Sequence, residues 1–122
     1  MNKEFYNLLK MNFGFITVNP ECRDGWFLLL WKLCNDIKAS NPPKDFESTQ
    51  IKEKFATLRF YVTYIPSDKI DDLINKAEIE SGKVCDICGK NGSLYDSGGC
   101  YRTRCADHSD WRQNIYNTPT LV

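Results

Sequence analysis

Apolar side chains recur at helical spacing in three segments of the chain. Residues 3–12 form a short amphipathic segment, and the stretch after them, GFITVNPECRDG, has the composition of an extended loop or a short edge strand. The widest apolar stripe runs from Trp26 to Ile37, and we predict that this helix continues to Ala39. Asp24 is placed to cap its first turn, and Pro42-Pro43 stops it.

The apolar period changes to two residues between positions 47 and 65, which predicts a β-hairpin. If Phe55-Ala56 is the turn, the predicted cross-strand pairs are Ile51 with Phe60, Thr49 with Val62, Lys52 with Arg59, and Gln50 with Tyr61. A last helix is predicted between its cap Ser67 and Gly82.

These elements predict an α+β fold in which a β-hairpin or small antiparallel sheet packs against two or three helices. The Trp26–Ile37 helix is expected to cross the apolar face of the hairpin, with Ile51, Leu58, Phe60 and Val62 as its partners. We place the core at residues 1–82, and a zinc-binding lobe of the zinc-knuckle or treble-clef type at residues 83–122.

Composition limits the functions that this chain can have. A length of 122 residues, 42% of them hydrophobic, suits a small packed protein. Sixteen basic and sixteen acidic residues cancel, which speaks against binding to duplex nucleic acid. The chain shows no signal peptide and no run of about 20 apolar residues. We therefore expect a soluble, unsecreted protein without a membrane partner.

Four of the six cysteines crowd into residues 85–105, beside the only histidine. Cys85 and Cys88 form a CxxCG knuckle, and Cys105 and His108 repeat the same spacing after sixteen residues. Two such pairs supply the four ligands of one structural Zn²⁺ and leave no position for a catalytic water. A redox dithiol is the alternative, but it requires a helix after the CxxC, and a turn-rich segment follows instead.

Cys100 is a competing ligand that could replace His108, although the matched spacing favours the histidine. Between the two pairs, SLYDSGGCYRTR predicts a small hairpin around its Gly-Gly turn. A short helix is expected from His108, with Trp111 packed over the metal lobe.

The stretches CRDGWF from Cys22, IKEKFATLRFY from Ile51 and CDICG…GGCYRTRCADH resemble a family of small uncharacterised proteins of phages and prophages. The resemblance spans about residues 20–108. It implies a phage protein in the cytoplasm of a bacterial host cell, and it implies no mechanism. Ala56 stands where the family pattern has glycine, which predicts a longer or strained turn, and Cys100 stands where an aromatic residue is common.

The chain offers no free histidine, nucleophile pair or phosphate loop, so we expect a protein that is not an enzyme. Lys52 opposite Arg59 places like charges across the hairpin, and an anion would relieve their repulsion. We predict a ligand-binding patch formed by Lys52, Lys54, Arg59, Tyr61 and Arg102. The alternative is that a carboxylate of the chain, from Asp45, Glu47 or the following helix, pairs with these cations.

Three functions fit this patch. The first is capture of an anionic, nucleotide-like small molecule as a counter-defence protein of a phage. The second is direct inhibition of a host defence protein, and the third is a nucleic-acid-binding zinc module. The sequence leaves a homo-oligomer open.

Overall fold

The computed structural model of the protein describes residues 1–109. Three α-helices are present in this part, α1 (Lys3–Asn12), α2 (Phe27–Ala39) and α3 (Asp68–Ser81). Two separate antiparallel sheets hold two strands each, β1 (Ser48–Lys54) with β2 (Thr57–Val62), and β3 (Ser93–Ser97) with β4 (Cys100–Arg104). Single 3₁₀ turns lie at Asp24–Trp26 and Ala106–His108. The α+β fold class is therefore confirmed, and no described helix has the length and apolar character that a membrane span needs.

One hydrophobic core joins the helices to the inner face of the first hairpin. Trp26, Leu30 and Ile37 are completely buried in the same cluster as Ile51 and Leu58. The cluster also holds residues from the first helix, the loop after it and α3, including Leu9, Phe13, Ile16, Phe46, Ile70 and Ile74. The α2 stripe and the apolar face of the hairpin thus share one core, in which α3 packs on both β2 and α2. The prediction that α2 itself crosses the hairpin face stays a prediction.

The hairpin register agrees with the predicted one except at its open end. Ile51 pairs with Phe60, as predicted, but Val62 lies opposite Ser48 instead of Thr49 because a bulge separates Ser48 from Gln50. The bulge lets buried Ser48 bond to the segment before it: its amide donates to Phe15 O at 2.8 Å, and its carbonyl accepts the hydroxyl of Thr17 at 2.9 Å. The predicted Thr49–Val62 pair is therefore wrong.

The hairpin turn keeps two residues although neither is glycine. Phe55 and Ala56 have φ values of 51° and 71°, a left-handed conformation that L-residues rarely adopt. Two contacts hold the turn: the Ala56 amide donates to Glu53 Oε2 at 2.8 Å, and the Ala56 carbonyl accepts the Thr103 hydroxyl at 2.7 Å. The strain that the missing glycine predicts is present, and side chains from two elements compensate for it.

Both outer edges of the first hairpin are covered. Along β1, the Glu21 amide donates to Ile51 O at 2.7 Å, and the Glu53 amide donates to Glu21 O. Along β2, the amides of Leu58 and Phe60 donate to side chains of α3, Ser81 Oγ at 2.8 Å and Glu78 Oε2 at 2.9 Å. The predicted edge segment before α2 is thus confirmed, and α3 closes the opposite edge.

Asp24 does not cap α2, contrary to the sequence prediction. Its carboxylate accepts two hydrogen bonds from Asn2, at 2.8 Å from the backbone amide and 2.9 Å from the side chain. Asn2 is itself the cap of α1, so Asp24 ties the start of that helix to the start of α2. Ser67 caps α3 through the Ile70 amide at 3.2 Å, as predicted.

The segment that begins at residue 83 packs directly on the core. The indole N–H of Trp26 donates to Val84 O at 2.8 Å, and the Gly25 amide donates to Asp86 O at 2.9 Å. The division into units at residues 1–82 and 83–122 stays a prediction. The helix expected after His108 and the position predicted for Trp111 lie outside the described residues.

Candidate functional site

A tight turn presents the first pair of metal ligands. The Gly89 amide donates to Cys85 O at 3.0 Å, and Gly89 has a φ of 81°, which glycine adopts without strain. The Cys85 amide in turn donates to Lys90 O at 2.7 Å. The chain therefore bends back on itself directly after Cys88.

The hairpin of β3 and β4 delivers the second pair to the same place. Its turn at Gly98-Gly99 has two positive φ values, 66° and 91°, and is secured by Asp96, whose carboxylate accepts the Gly99 amide at 2.8 Å. This hairpin confirms the one predicted between the knuckles. At its other end, the 3₁₀ turn brings His108 back over Cys105, with the His108 amide donating to Cys105 O at 3.1 Å.

The four ligand atoms of Cys85, Cys88, Cys105 and His108 lie within 4.8 Å of one another. The closest pairs are Cys105 Sγ to His108 Nδ1 at 3.2 Å, Cys88 Sγ to Cys105 Sγ at 3.6 Å, and Cys85 Sγ to His108 Nδ1 at 3.7 Å. Tetrahedral zinc with ordinary bond lengths places sulfur atoms about 3.8 Å apart, and sulfur about 3.6 Å from nitrogen. The geometry and the donor set therefore fit one metal ion.

The sulfur atoms of this cluster have divergent acidities. Burial raises the pKa of Cys85, but hydrogen bonds to its sulfur lower it by more, and the resulting pKa is about 7. The donors are the amides of Cys88, Cys105 and Ile87 and the ring of His108. Burial and the neighbouring sulfurs of Cys88 and Cys85 raise the pKa of Cys105. A divalent cation between the sulfurs would remove the repulsion that opposes a second thiolate.

Cys100 does not belong to the group of side chains that could hold the metal. It starts β4 opposite Ser97, at the turn end of the hairpin, whereas the ligand pair follows the other end. Cys22 and Cys34 are buried in the hydrophobic core, and burial raises the pKa of both thiols, that of Cys22 to about 12. Both behave as core residues.

A buried ion pair joins the two ligand segments. Arg104 Nε donates to Asp86 Oδ1 at 2.9 Å, with only 6% and 2% of the two side chains exposed. Asp86 follows Cys85 and Arg104 precedes Cys105, so the pair fixes the separation of the two knuckles. This contact was not predicted from the sequence, although an acid inside one knuckle and a base beside the other was the available signal.

The knuckle also approaches the core more closely than a side chain would permit. A Cβ on Gly25 would lie 2.3 Å from Cys85 O and 2.7 Å from Asp86 O. At Gly92 it would lie 2.8 Å from Cys85 N. Backbone therefore packs on backbone on both sides of Cys85.

The second candidate site is the outward side of the first hairpin, which we call the hairpin face and define by Gln50, Lys52, Lys54, Thr57, Arg59 and Tyr61. The ladder places Lys52 directly opposite Arg59 and Gln50 opposite Tyr61, as predicted. Tyr61 is 40% exposed. Four of the five predicted ligand-binding residues, Lys52, Lys54, Arg59 and Tyr61, therefore lie together on this face.

Arg59 has a buried polar atom without a partner. Within residues 1–109, its Nε is shielded from solvent and makes no hydrogen bond. Two of the acids that could have paired with it are engaged elsewhere, Asp45 with the Tyr64 hydroxyl and Glu78 with the Phe60 amide. Buried donors in folded proteins nearly always have an acceptor, so this atom calls for one.

The fifth predicted residue, Arg102, lies at the turn end of the hairpin beside Lys54. They line an open depression of about 530 Å³, which we call the turn notch, together with Glu53, Phe55, Gly98, Gly99, Cys100 and Tyr101. Arg102 Nη1 pairs with Glu53 Oε1 at 3.3 Å and donates to its neighbour's carbonyl. Lys54 has its ammonium 5.8 Å from the Phe55 ring centre.

A larger groove of about 860 Å³ lies between α2, α3 and the first knuckle. Its lining is largely apolar and includes Leu28, Leu33, Leu73, Val84 and the ligand Cys88. Leu28 is 75% exposed. No sequence pattern predicts this groove, because its walls come from segments that are distant in the chain.

Comparisons with family models, with curated proteins and with solved structures find no match to this chain.

Proposed function

We propose that this chain is a zinc-stabilised binding protein without catalytic activity, which captures an anionic, nucleotide-like ligand on its hairpin face. The observation that carries the proposal is the buried Nε of Arg59, which has no acceptor in the described part of the chain. In this side-chain position the Nε is closed to a ligand, so the Arg59 guanidinium has to turn outward to bind one. A phosphate oxygen would then supply the acceptor, and a guanidinium can hold phosphate through two parallel hydrogen bonds. Lys52 across the ladder adds a second positive charge.

The metal in this proposal is zinc, and its role is structural. Three thiolates and one imidazole are a donor set typical of structural zinc sites, and four protein ligands fill its tetrahedral coordination. Zinc then holds together a segment with little core of its own. Metal analysis of freshly purified protein should find one zinc per chain, and the absence of zinc would refute this part of the proposal.

The biological setting follows from the resemblance to phage proteins. A small protein that sequesters a nucleotide inside a bacterial host suits a counter-defence role, because host defence systems can signal through such molecules. We accordingly place the protein in the host cytoplasm.

Arg59→Ala tests the ligand site. Native protein is purified from cells and denatured, and the released small molecules are examined by absorbance near 260 nm and by mass spectrometry. We expect a phosphate-bearing compound from the native protein, its loss from the variant, and a melting temperature that stays the same or rises because like-charge repulsion is relieved. Lys44→Ala removes an exposed cation elsewhere and should keep the compound.

Two results would contradict the proposal. One is a native protein that releases no phosphate-bearing compound. The other is an Arg59→Ala variant that is destabilised but retains the compound, since Arg59 would then serve the fold.

The apolar groove beside α2 favours a second candidate function, direct inhibition of a host protein. An exposed leucine in a groove of this size is a feature of protein-binding surfaces. If this function is the correct one, Leu28→Asp should abolish counter-defence activity while Arg59→Ala leaves it intact. The opposite pattern supports the nucleotide proposal.

A further inference from the structure

The hairpin face and the turn notch are continuous through one residue. Lys54 follows Lys52 on the same side of β1, because alternate residues of a strand point to the same side. Lys54 is also part of the notch lining. Lys54 therefore joins the two surfaces, and a ligand lying along the hairpin face would reach the notch over this residue.

The notch displays two aromatic rings. Phe55 is 66% exposed at the tip of the turn, and its ring centre is 6.3 Å from that of Tyr101, with the planes at 68°. The contacts of Ala56 with Glu53 and Thr103 keep Phe55 in its left-handed conformation. The Phe55 ring is thus held in solvent by a backbone conformation that costs free energy. Exposed aromatic side chains fixed in this way are common on binding surfaces.

The opposite wall of the notch leaves room for a flat group. Gly98 and Gly99 form it, and an added Cβ at either position would meet nothing within 4 Å. A planar ring could therefore lie against the turn backbone beside Phe55 and Tyr101. Every nucleobase has such a face, and stacking on aromatic side chains does not depend on base identity.

The track has an aromatic residue at each end and cations between them. Tyr61 begins it, Lys52, Arg59 and Lys54 follow, and the aromatic pair of the notch ends it. From Tyr61 to Thr57 alone, four residue-to-residue steps along the strand span about 14 Å, which is about four stacked base steps of 3.4 Å. A mononucleotide would occupy only part of this length.

The charge balance of the track is positive although that of the chain is zero. Glu21 lies beside Lys52 in a parallel bridge, and the two side chains make no ion pair within the described residues. The track therefore carries three cations, Lys52, Lys54 and Arg59, and one acid, Glu21. Arg102 is set aside from this count because Glu53 already pairs with it.

We propose that this track binds a short single-stranded nucleic acid, with phosphates on Lys52, Arg59 and Lys54 and bases stacked on Tyr61 and on the Phe55–Tyr101 pair. This inference rests on the proposed function and specifies its ligand class. Exposed bases of a single strand can enter the notch. A duplex keeps its bases stacked inside and presents only phosphates to the hairpin.

The test uses fluorescein-labelled octathymidylate and fluorescence anisotropy, with unlabelled thymidine 5′-monophosphate as competitor. Three phosphate contacts predict a slope of about −2 for log K against log salt concentration, and Lys54→Ala should reduce its magnitude by about 0.7. Phe55→Gly removes the ring and suits the positive φ of the turn, so it should fold normally. Losing one stacking ring should weaken binding about 5- to 150-fold with the slope unchanged.

Tyr61→Ala and Tyr64→Ala form a matched pair, since both rings are 40% exposed and only Tyr61 lies on the track. Tyr61→Ala should weaken binding, and Tyr64→Ala should leave it unchanged. If the mononucleotide competes as well as unlabelled octathymidylate and Phe55→Gly has no effect, this inference is wrong while the proposed function stands. Equal binding to a duplex would also refute it. Failure of both probes would reject this inference, and release of a phosphate-bearing compound by the native protein would show that the proposed function still stands.

Discussion

The closest contact between the knuckle and the core gives the sharpest test of how the metal segment is held. Gly25 donates its amide to Asp86 O, and its Cα lies so near the knuckle that a methyl group would be 2.3 Å from one carbonyl oxygen and 2.5 Å from the carbon of the next. Both neighbours are backbone atoms and cannot rotate away. Gly25→Ala therefore has to move the knuckle away from the start of α2.

The expected cost has two parts. Overpacking of this kind destabilises proteins by about 1–3 kcal/mol, occasionally more. Displacement also lengthens the Gly25–Asp86 hydrogen bond, which contributes about 1 kcal/mol. We therefore expect Gly25→Ala to lower the free energy of unfolding by about 2–4 kcal/mol.

Urea unfolding of the zinc-loaded protein measures this loss, and competition with a chromophoric chelator measures zinc affinity. Gly14→Ala is the matched control, because a Cβ at Gly14 would meet nothing within 4 Å. It should change the free energy of unfolding by less than about 0.5 kcal/mol. Equal stability of the two variants would show that the knuckle does not rest on Gly25 in solution.

Three further substitutions test other contacts. Leu30→Ala, at a completely buried position of α2, should lower the free energy of unfolding by about 2–5 kcal/mol in a denaturant melt. Leu28→Ala, on the exposed side of the same helix, should change it by less than about 0.5 kcal/mol. Similar values for the two variants would mean that the apolar stripe does not face the core. Asp86→Ala removes the carboxylate that accepts the Arg104 Nε–H bond and should cost about 1–3 kcal/mol; a loss below about 0.5 kcal/mol would show that this ion pair does not hold the knuckles in solution. Cys100→Ser should retain one zinc per chain by metal analysis, and loss of the metal would place this thiol among the ligands.

Periodicity was sufficient to predict the elements that rest on local pattern. The apolar stripe from Trp26 to Ile37 predicts a helix, and the alternation between residues 47 and 65 predicts a hairpin. Neither prediction depends on the rest of the chain. The four metal ligands were equally accessible, because the spacing of Cys85 and Cys88 recurs in Cys105 and His108. Predictions that rest on such local patterns agree with the folded structure.

The features that the sequence did not reveal depend on partners far along the chain. Asp24 has the sequence signal of a helix cap, but its carboxylate accepts the amide of Asn2, 22 residues earlier, instead of the first amides of α2. The bulge at Ser48 likewise follows from bonds to Phe15 and Thr17, which no strand pattern contains. A propensity rule describes one segment at a time, so it cannot weigh such competition.

The closure of β2 by α3 also determines when during synthesis the chain is most open to aggregation. An uncovered strand edge is a template for pairing with another chain. Ser81 follows Leu58 by 23 residues, so the covering helix leaves the ribosome later than the strand it protects. At ordinary rates of translation of 5–20 residues per second, this delay is about one to five seconds. During that interval the edge is open in the nascent chain, and it closes when α3 docks.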